Sequence, residues 1–159
     1  VYLMWPDTIE RIAELVADMR SRAAAHGREL RFGYRVHVVV RPTEGEARAA
    51  AEHLLAALDA DTGERIRSRS LDSTSVGVRA QATLRDASDE DGYAEPNLWT
   101  GIGRARSGCG AAVVGSPQQV AAKIESYRDL GIDTFILSGY PHLDECRRFA
   151  DLVLPRLGV

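Results

Sequence analysis

An arginine and a histidine stand two residues apart in the clearest predicted strand of the chain, Phe32-Gly-Tyr-Arg-Val-His-Val-Val-Val40. Because side chains alternate across a strand, Arg35 and His37 share one face, and the opposite face is apolar. A guanidinium that packs inside a protein needs an anion beside it, since an unpaired buried charge is strongly unfavourable. The pair therefore predicts a site for an anionic ligand. The competing interpretation is an edge strand with one solvated face.

A second polar cluster, Tyr140-Pro141-His142, follows a predicted strand over Asp133 to Ser138. In parallel α/β barrels, ligands bind at the C-terminal ends of the strands, which is where Tyr140 and His142 would lie. A tyrosine can donate a proton, and a histidine titrates near neutral pH. The alternative is a turn with an aromatic ring packed on it.

Two glycine-containing segments are candidate phosphate sites. Gly101 to Gly110 carries Arg104 and Arg106, and Gly115-Ser116 precedes a predicted helix. Backbone amides at such positions bind anions, although no GxGxxG motif follows a strand here. For Ser116 a plain helix cap is the favoured alternative, because Pro117 suits the first helical turn. No metal-ligand spacing is present, so no metal site is predicted.

The bulk composition excludes several classes of function. The chain has 159 residues, a net charge of −3 and a pI of about 5.8, which gives no field favouring nucleic acid or an anionic membrane. No apolar run approaches the ~20 residues that span a bilayer. Two cysteines, Cys109 and Cys146, are too few for a disulfide framework and predict a reducing, cytoplasmic environment.

The order of predicted elements is βα repeated four times, with strands at residues 1–4, 32–40, 111–114 and 133–138. Asp7 with Glu10 and Thr43 with Glu46 have the spacing of capping boxes, and Gly27 suits a left-handed helix end. Alternating strands and helices predict a parallel sheet with right-handed crossovers.

The stretch from Asp59 to Glu95 lacks this periodicity and is predicted to be a mobile lid, a long insertion before the third strand. A closed (β/α)8 barrel needs roughly 250 residues, about twice the four units present. We therefore predict an α/β fold, the C-terminal half of a TIM barrel, with residues 1–159 as one partial domain. A small open α/β sandwich is the alternative.

Several segments together resemble the two-component, reduced-FMN-dependent alkanesulfonate monooxygenases of the bacterial-luciferase-like class. They are Tyr2-Leu-Met-Trp5, Ala23-Ala-Ala-His-Gly27, the stretch from Arg31 to Arg41, Pro96-Asn-Leu-Trp99, Leu130-Gly-Ile-Asp133 and, most distinctively, Leu137-Ser-Gly-Tyr-Pro-His-Leu143. The resemblance runs along the whole chain, is weakest over the predicted lid, and corresponds to the C-terminal half of such an enzyme. It implies a luciferase-like barrel.

The resemblance also implies roles for six residues. Trp5 lines the substrate and flavin pocket, and Arg106 lies beside the lid and helps close the site over reduced flavin. The strand pair faces the sulfonate, with Arg35 binding its oxygens. Tyr140 is the candidate for proton transfer, with the two histidines orienting either it or the flavin peroxide. The implied catalytic set is Arg35, His37, Arg106, Tyr140 and His142. The family's N-terminal active-site cysteine has no counterpart, since neither Cys109 nor Cys146 occupies its position.

The implied reaction converts an alkanesulfonate to an aldehyde and sulfite, a route of sulfur acquisition. Reduced FMN comes from a separate NAD(P)H-dependent FMN reductase, and O2 is the co-substrate. The resemblance further implies a homo-oligomer when the enzyme is full length, and we expect the 159 residues alone to be inactive. Two alternatives remain: a related luciferase-like flavin monooxygenase with another substrate, and a non-catalytic α/β interaction domain.

Overall fold

The computed structural model describes residues 1–56, 65, 75–105 and 110–158. Its strands are β1 (Tyr2–Met4), β2 (Phe32–Val40), β3 (Tyr93–Glu95), β4 (Leu98–Trp99), β5 (Ala112–Gly115) and β6 (Ile132–Ser138). Its helices are α1 (Ile9–Ala25), α2 (Glu44–His53), α3 (Val76–Asp86), α4 (Ile102–Ala105), α5 (Pro117–Asp129) and α6 (His142–Leu152), followed by a 3₁₀ turn at Leu154–Arg156.

Strand β2 is the centre of the sheet. Its first three residues pair with both β1 and β6, so these two strands lie on opposite edges of β2. His37 pairs with Ala112 of β5 and with Ser138 of β6, which places β5 on the same edge as β1. These pairings are all parallel, and β4 and β3 extend the sheet beyond β5 in antiparallel fashion. The interpretation of β2 as an edge strand is therefore wrong.

The predicted fold class, an α/β fold with the curled sheet of a partial barrel, is confirmed. The strand order adds a detail that the prediction did not contain. A consecutive barrel order would place β6 beside β5, but β6 pairs with β2 from Phe32 to His37. The nine-residue β2 offers β6 a longer ladder of backbone hydrogen bonds than the four-residue β5 does.

The apolar face of β2 packs under helices, as predicted. Phe32, Tyr34 and Val36 are buried in one cluster with residues of α1 and α5. The opposite face is covered by α2 at its C-terminal end, where Val39 packs with Ala47. The next strand after β2, β5, lies on the same edge of β2 as β1 does, so the chain moves back across the sheet. A right-handed crossover in that direction places α2 on the face opposite α1.

Local sequence signals account for most helix ends. Thr43 and Glu46 form the predicted capping box, and Gly27 has the predicted positive φ of 64°. The predicted box at Asp7 is wrong by one residue. Thr8 caps α1 by accepting a hydrogen bond from the Arg11 amide, and Asp7 accepts one from the Thr8 amide instead.

Within the predicted lid, for which short helices were also expected, the described residues include a helix and a strand. Ser75 caps α3, whose Leu84 is buried in the main core, and β3 follows it. Residues 59–64 and 66–74 of the predicted lid lie outside the described residues, so a mobile lid stays a prediction. No helix in the described ranges is long and apolar enough to cross a membrane.

Candidate active site

The two polar motifs of the sequence meet in a stack of three rings. The His37 and Tyr140 ring centroids are 5.5 Å apart with an interplanar angle of 26°. The Tyr140 and His142 centroids are 4.7 Å apart at 34°. His37 is only 4% exposed. Strand β2 and the loop that follows the adjacent parallel strand β6 therefore bring together residues that lie about a hundred positions apart in the chain.

Ser138 belongs to this cluster, although it was not predicted to. It is the last residue of β6 and stands directly opposite His37 in the strand register. Its Oγ lies 2.8 Å from Nδ1 of His37, a hydrogen-bond distance. Alternation put Ser138 on one face of its strand, but only the pairing of β6 with β2 brings it to His37.

Arg35 lies on the same face as His37, two residues earlier, and stands opposite Ile136 of β6. Its side chain is half-buried. Within the described ranges its guanidinium makes no hydrogen bond and no ion pair, unlike Arg31, which pairs with Asp133 at 3.0 Å. A partly desolvated cation without a protein counter-ion is the arrangement that favours an anionic ligand.

The loop that carries Tyr140 and His142 is held from behind by α6. A Cβ on Gly139 would lie 2.6 Å from Cβ of Glu145, so a larger residue does not fit there. Nδ1 of His142 contacts the Gly139 carbonyl oxygen, and the Glu145 amide donates to the Pro141 carbonyl at 3.0 Å. The backbone around the two rings is thereby fixed.

Of the remaining two predicted site residues, only Trp5 is described, and no contact joins it to the described residues of this cluster. Trp5 directly follows β1 and is 36% exposed. Its indole lies beside α3, with Cε3 3.7 Å from the position that a Cβ on Gly77 would take. Arg106 lies outside the described residues, as does Cys109, so the predicted role of Arg106 stays a prediction.

The two glycine-containing segments have different outcomes. At α5 the Ser116 amide donates to Oε1 of Gln119 at 2.9 Å, and the Ser116 hydroxyl accepts from the Gln119 amide. This reciprocal cap engages the amides of Ser116 and Gln119, so the plain cap that the sequence favoured is present. In the segment from Gly101 to Gly110, Arg104 is exposed on α4.

Tyr34, on the opposite face of β2, and Tyr127 of α5 are structural. Tyr34 and Tyr127 are fully buried, with ring centroids 4.2 Å apart. Both hydroxyls donate to the Asp7 carbonyl, at 3.5 and 3.3 Å. Burial raises the pKa of both hydroxyls, so they stay protonated at neutral pH. Proton transfer at neutral pH is therefore not their role.

An apolar cavity of about 350 Å³ lies between α6 and the sheet, lined by Val38, Leu137, Phe149 and Cys146 among others. Ser138 and His142 also line it, so the cavity adjoins the ring cluster from the side of α6. No three of the described His, Cys, Asp and Glu side chains come together as a metal-binding group.

A parallel α/β sheet with polar side chains gathered at the carboxyl ends of neighbouring strands defines the class of barrel-type α/β enzymes. Residues 1–134 match the luciferase-like monooxygenase family. The chain belongs to that family. The family-level resemblance drawn from the sequence motifs is thus confirmed.

Two curated relatives are closely similar over almost the whole chain. The sulfoquinovose monooxygenase of Novosphingobium aromaticivorans is 61% identical over 157 residues, which cover 99% of this chain and 43% of the relative. The sulfoquinovose monooxygenase of Agrobacterium fabrum is 57% identical over 157 residues, 99% of this chain and 41% of the relative. The chain therefore spans less than half the length of these relatives.

Solved structures support the fold. DmoA from Hyphomicrobium sulfonivorans superposes with a TM-score of 0.69 at 18% identity, over 98% of this chain and 36% of that protein. Riboflavin lyase, solved with modified FMN and riboflavin, superposes with a TM-score of 0.67 at 21% identity, over 98% of this chain and 37% of that protein. At these identities the likeness concerns the fold alone.

Proposed function

We propose that this chain forms the sulfonate-binding part of the active site of a flavin-dependent monooxygenase. The observation that carries the proposal is Arg35, a half-buried guanidinium without a counter-ion among the described residues, on the same strand face as His37. Its planar fork of donors suits the oxygens of a sulfonate, which it would hold by charge-assisted hydrogen bonds.

The preferred substrate class is a sulfonated sugar. The relatives that are 61% and 57% identical are both sulfoquinovose monooxygenases, and sulfoquinovose is a hexose with a sulfonate on its terminal carbon. This similarity supports the alternative hypothesis from the sequence, a related monooxygenase with another substrate, over an enzyme for simple alkanesulfonates. The Arg35 site suits both compounds, because both present the same anionic group.

The ring stack supports a role in proton transfer. The Tyr140 hydroxyl would hold or release the proton, with the rings of His37 and His142 on either side fixing its orientation. In the net reaction the C–S bond is replaced by a carbonyl and sulfite departs. The second oxygen atom of O2 leaves as water, with two electrons from reduced FMN.

The Tyr140 ring lies between the rings of His37 and His142, so this stack would meet a planar cofactor through ring edges rather than through a free face of Tyr140. Reduced FMN, when bound with O2, supplies the oxidising chemistry, and the chain's own residues bind and orient the substrate. A separate NAD(P)H-dependent FMN reductase is the expected supplier. Arg106 is retained as the proposed flavin-side cation.

The activity proposed here is that of the whole protein. The relatives have more than half of their length outside the region that this chain matches. We therefore expect the 159 residues alone to release no sulfite, as the sequence predicted. A non-catalytic interaction domain is the second candidate, but Arg35, which has no counter-ion among the described residues, favours a ligand site on its strand face.

The test is sulfite release by the whole protein, supplied with FMN, NAD(P)H, a flavin reductase and O2. We expect sulfite from sulfoquinovose, and a higher kcat/KM for sulfoquinovose than for hexanesulfonate. The same mixture without the reductase controls for uncatalysed release. A higher kcat/KM for hexanesulfonate would favour simple alkanesulfonates as the substrate class. No sulfite from either compound would refute the proposed function.

A further inference from the structure

Trp5 lies at the level of Arg35 on the neighbouring strand. Met4 is the last residue of β1 and stands opposite Tyr34 of β2, so Trp5 and Arg35 are the next residues along these two parallel segments. The indole is 36% exposed, and it follows the exposed Leu3 at the two-residue spacing of one strand face. A movement of the indole would therefore change the surface beside the Arg35 guanidinium.

One face of helix α3 packs on the segment that carries Trp5. Gly77, Gln81 and Leu84 have the i, i+4, i+7 spacing of a single helix face. At Gly77, a Cβ would lie 3.7 Å from Cε3 of the indole, which is van der Waals contact, so the ring and the helix backbone are separated by about one methyl group. Leu84 is buried in the main core and anchors the helix there.

The Gln81 side chain makes the polar contact of this face. Its Nε2 donates to the Pro6 carbonyl oxygen at 2.8 Å, so α3 is tied to the residue directly after Trp5. Because a carbonyl oxygen can only accept, the amide cannot be reversed, and Oε1 is the atom left over. Oε1 is buried and has no hydrogen-bond partner among the described residues. A buried unpaired acceptor is unfavourable, so stability alone does not explain a glutamine at this position.

Gly110 leaves room for the other end of the amide. A Cβ on Gly110 would overlap both Oε1 and the amide carbon of Gln81. The amide is therefore held between the Pro6 carbonyl on one side and the Gly110 backbone on the other. Three segments that are distant in the chain thereby fix one side-chain orientation.

We propose that Gln81 is a positioning residue that holds Trp5 beside Arg35, and that Gly110 keeps the Gln81 amide in place. This deepens the proposed function and rests on it for the identity of the substrate. An indole at this level would form an apolar wall for the carbon skeleton of a sulfonated substrate, while the guanidinium binds the sulfonate. Loss of the Gln81 contact frees the indole, so it should weaken substrate binding rather than slow the chemical step.

The position of the indole can be measured without turnover, by fluorine NMR of the whole protein labelled with 5-fluorotryptophan. Trp5→Phe identifies the Trp5 signal. Trp99, the other tryptophan of the 159 residues, is buried in a separate cluster and is the internal reference. We expect Gln81→Ala, and Gln81→Met, which keeps the length of the side chain without its amide, to shift or broaden the Trp5 signal and to leave the Trp99 signal unchanged. Thr83→Ala, at an exposed position of the same helix, should change neither signal.

Gly110→Ala tests the other end of the amide. The added methyl group displaces Oε1 of Gln81, so it should move the Trp5 signal although positions 5 and 110 are distant in the chain. In the Gln81→Ala background the overlapping atoms are absent, and Gly110→Ala should cause no further change of the Trp5 signal.

The sulfite assay separates binding from chemistry. Gln81→Ala and Gln81→Met should raise KM for sulfoquinovose about fivefold, the scale of one hydrogen bond, with kcat within about twofold of the wild type. Thr83→Ala should match the wild type in both constants.

An unchanged Trp5 signal in both Gln81 variants, or an unchanged KM in variants whose Trp5 signal moves, would overturn the proposal. A change of the Trp99 signal in both variants would mean a general loss of packing and would overturn it as well. If the signals behave as expected but no sulfite is released from any sulfonate, the link between Gln81 and Trp5 stands and the proposed function fails. If sulfite is released but the Trp5 signal does not respond to Gln81, the function stands and this proposal fails.

Discussion

Both terminal nitrogens of Arg41 engage the carboxylate of Glu145. Nη2 lies 2.9 Å from Oε1 and Nη1 lies 3.1 Å from Oε2. Arg41 follows β2 and Glu145 lies in α6, so the pair ties the end of the central strand to the helix behind the ring stack. Arg148 adds a contact to Oε1 at 2.7 Å. The carboxylate is 3% exposed, and it is satisfied from two directions.

Replacing Glu145 should destabilise the protein strongly. Glu145→Leu leaves Arg41 beside an apolar pocket without its counter-ion, and loss of one partner of a buried pair costs about 3–5 kcal/mol. The exposed pair between Arg31 and Asp133 joins the other ends of β2 and β6 and provides the control. Urea unfolding should show a much smaller loss for Asp133→Ala than for Glu145→Leu. Equal losses would mean that the buried pair has no special role.

Removing the hydroxyl of Tyr93 should not destabilise the protein at neutral pH. This hydroxyl is buried and has no hydrogen-bond partner among the described residues, while the ring packs 4.1 Å from the Arg48 guanidinium carbon. Tyr93→Phe keeps the ring and removes the unpaired group, so its free energy of unfolding should match the wild type within about 0.5 kcal/mol or exceed it. A loss above about 1 kcal/mol would show that the hydroxyl has a partner.

The same residue should make stability depend on alkaline pH. Burial raises the pKa of Tyr93 from 10.0 to about 12. The unfolded tyrosine ionises first, so its contribution is fully present below pH 10 and is lost as the pH rises to about 12. Urea unfolding at several pH values should show a shallower decline for Tyr93→Phe than for the wild type. Identical slopes would contradict the raised pKa.

Tyr140→Phe should lower kcat by about 100-fold and leave KM nearly unchanged. The phenylalanine ring keeps the stack between His37 and His142, but it cannot hold or release a proton. A loss of about 100-fold is the scale of the contribution that general acid–base catalysis makes to a rate. Tyr2→Phe, a hydroxyl deletion on β1 outside the ring stack, is the control. Steady-state sulfite release would measure both variants, and wild-type kcat for Tyr140→Phe would remove it from proton transfer.

The sequence was sufficient for features that depend on local pattern. Alternation in β2 correctly separated its apolar face from the face of Arg35 and His37. Side-chain chemistry located the caps at Thr43 and Ser116. At Asp7 the pattern matched a capping box, but the neighbouring Thr8 hydroxyl took the cap because it reaches the Arg11 amide.

Features that depend on which strands become neighbours could not be read from the sequence. Periodicity gives the face of a residue but not the strand beside it, so the pairing of β6 with β2 was not predicted. Ser138 was missed for that reason. The burial of Glu145 was not predicted, because its partner Arg41 lies 104 positions away in the chain. The sequence of α6 alone has the pattern of an ordinary amphipathic helix.

Arg35 is the most direct test of the account, because the anion site depends on its guanidinium. We expect Arg35→Ala in the whole protein to lower kcat/KM for sulfite release from sulfoquinovose by at least tenfold, the loss of one charge-assisted hydrogen bond or more. Arg31→Ala, which removes an exposed guanidinium from the residue just before the same strand, should stay near the wild-type value. An Arg35→Ala enzyme as active as the Arg31→Ala enzyme would contradict a sulfonate site at Arg35.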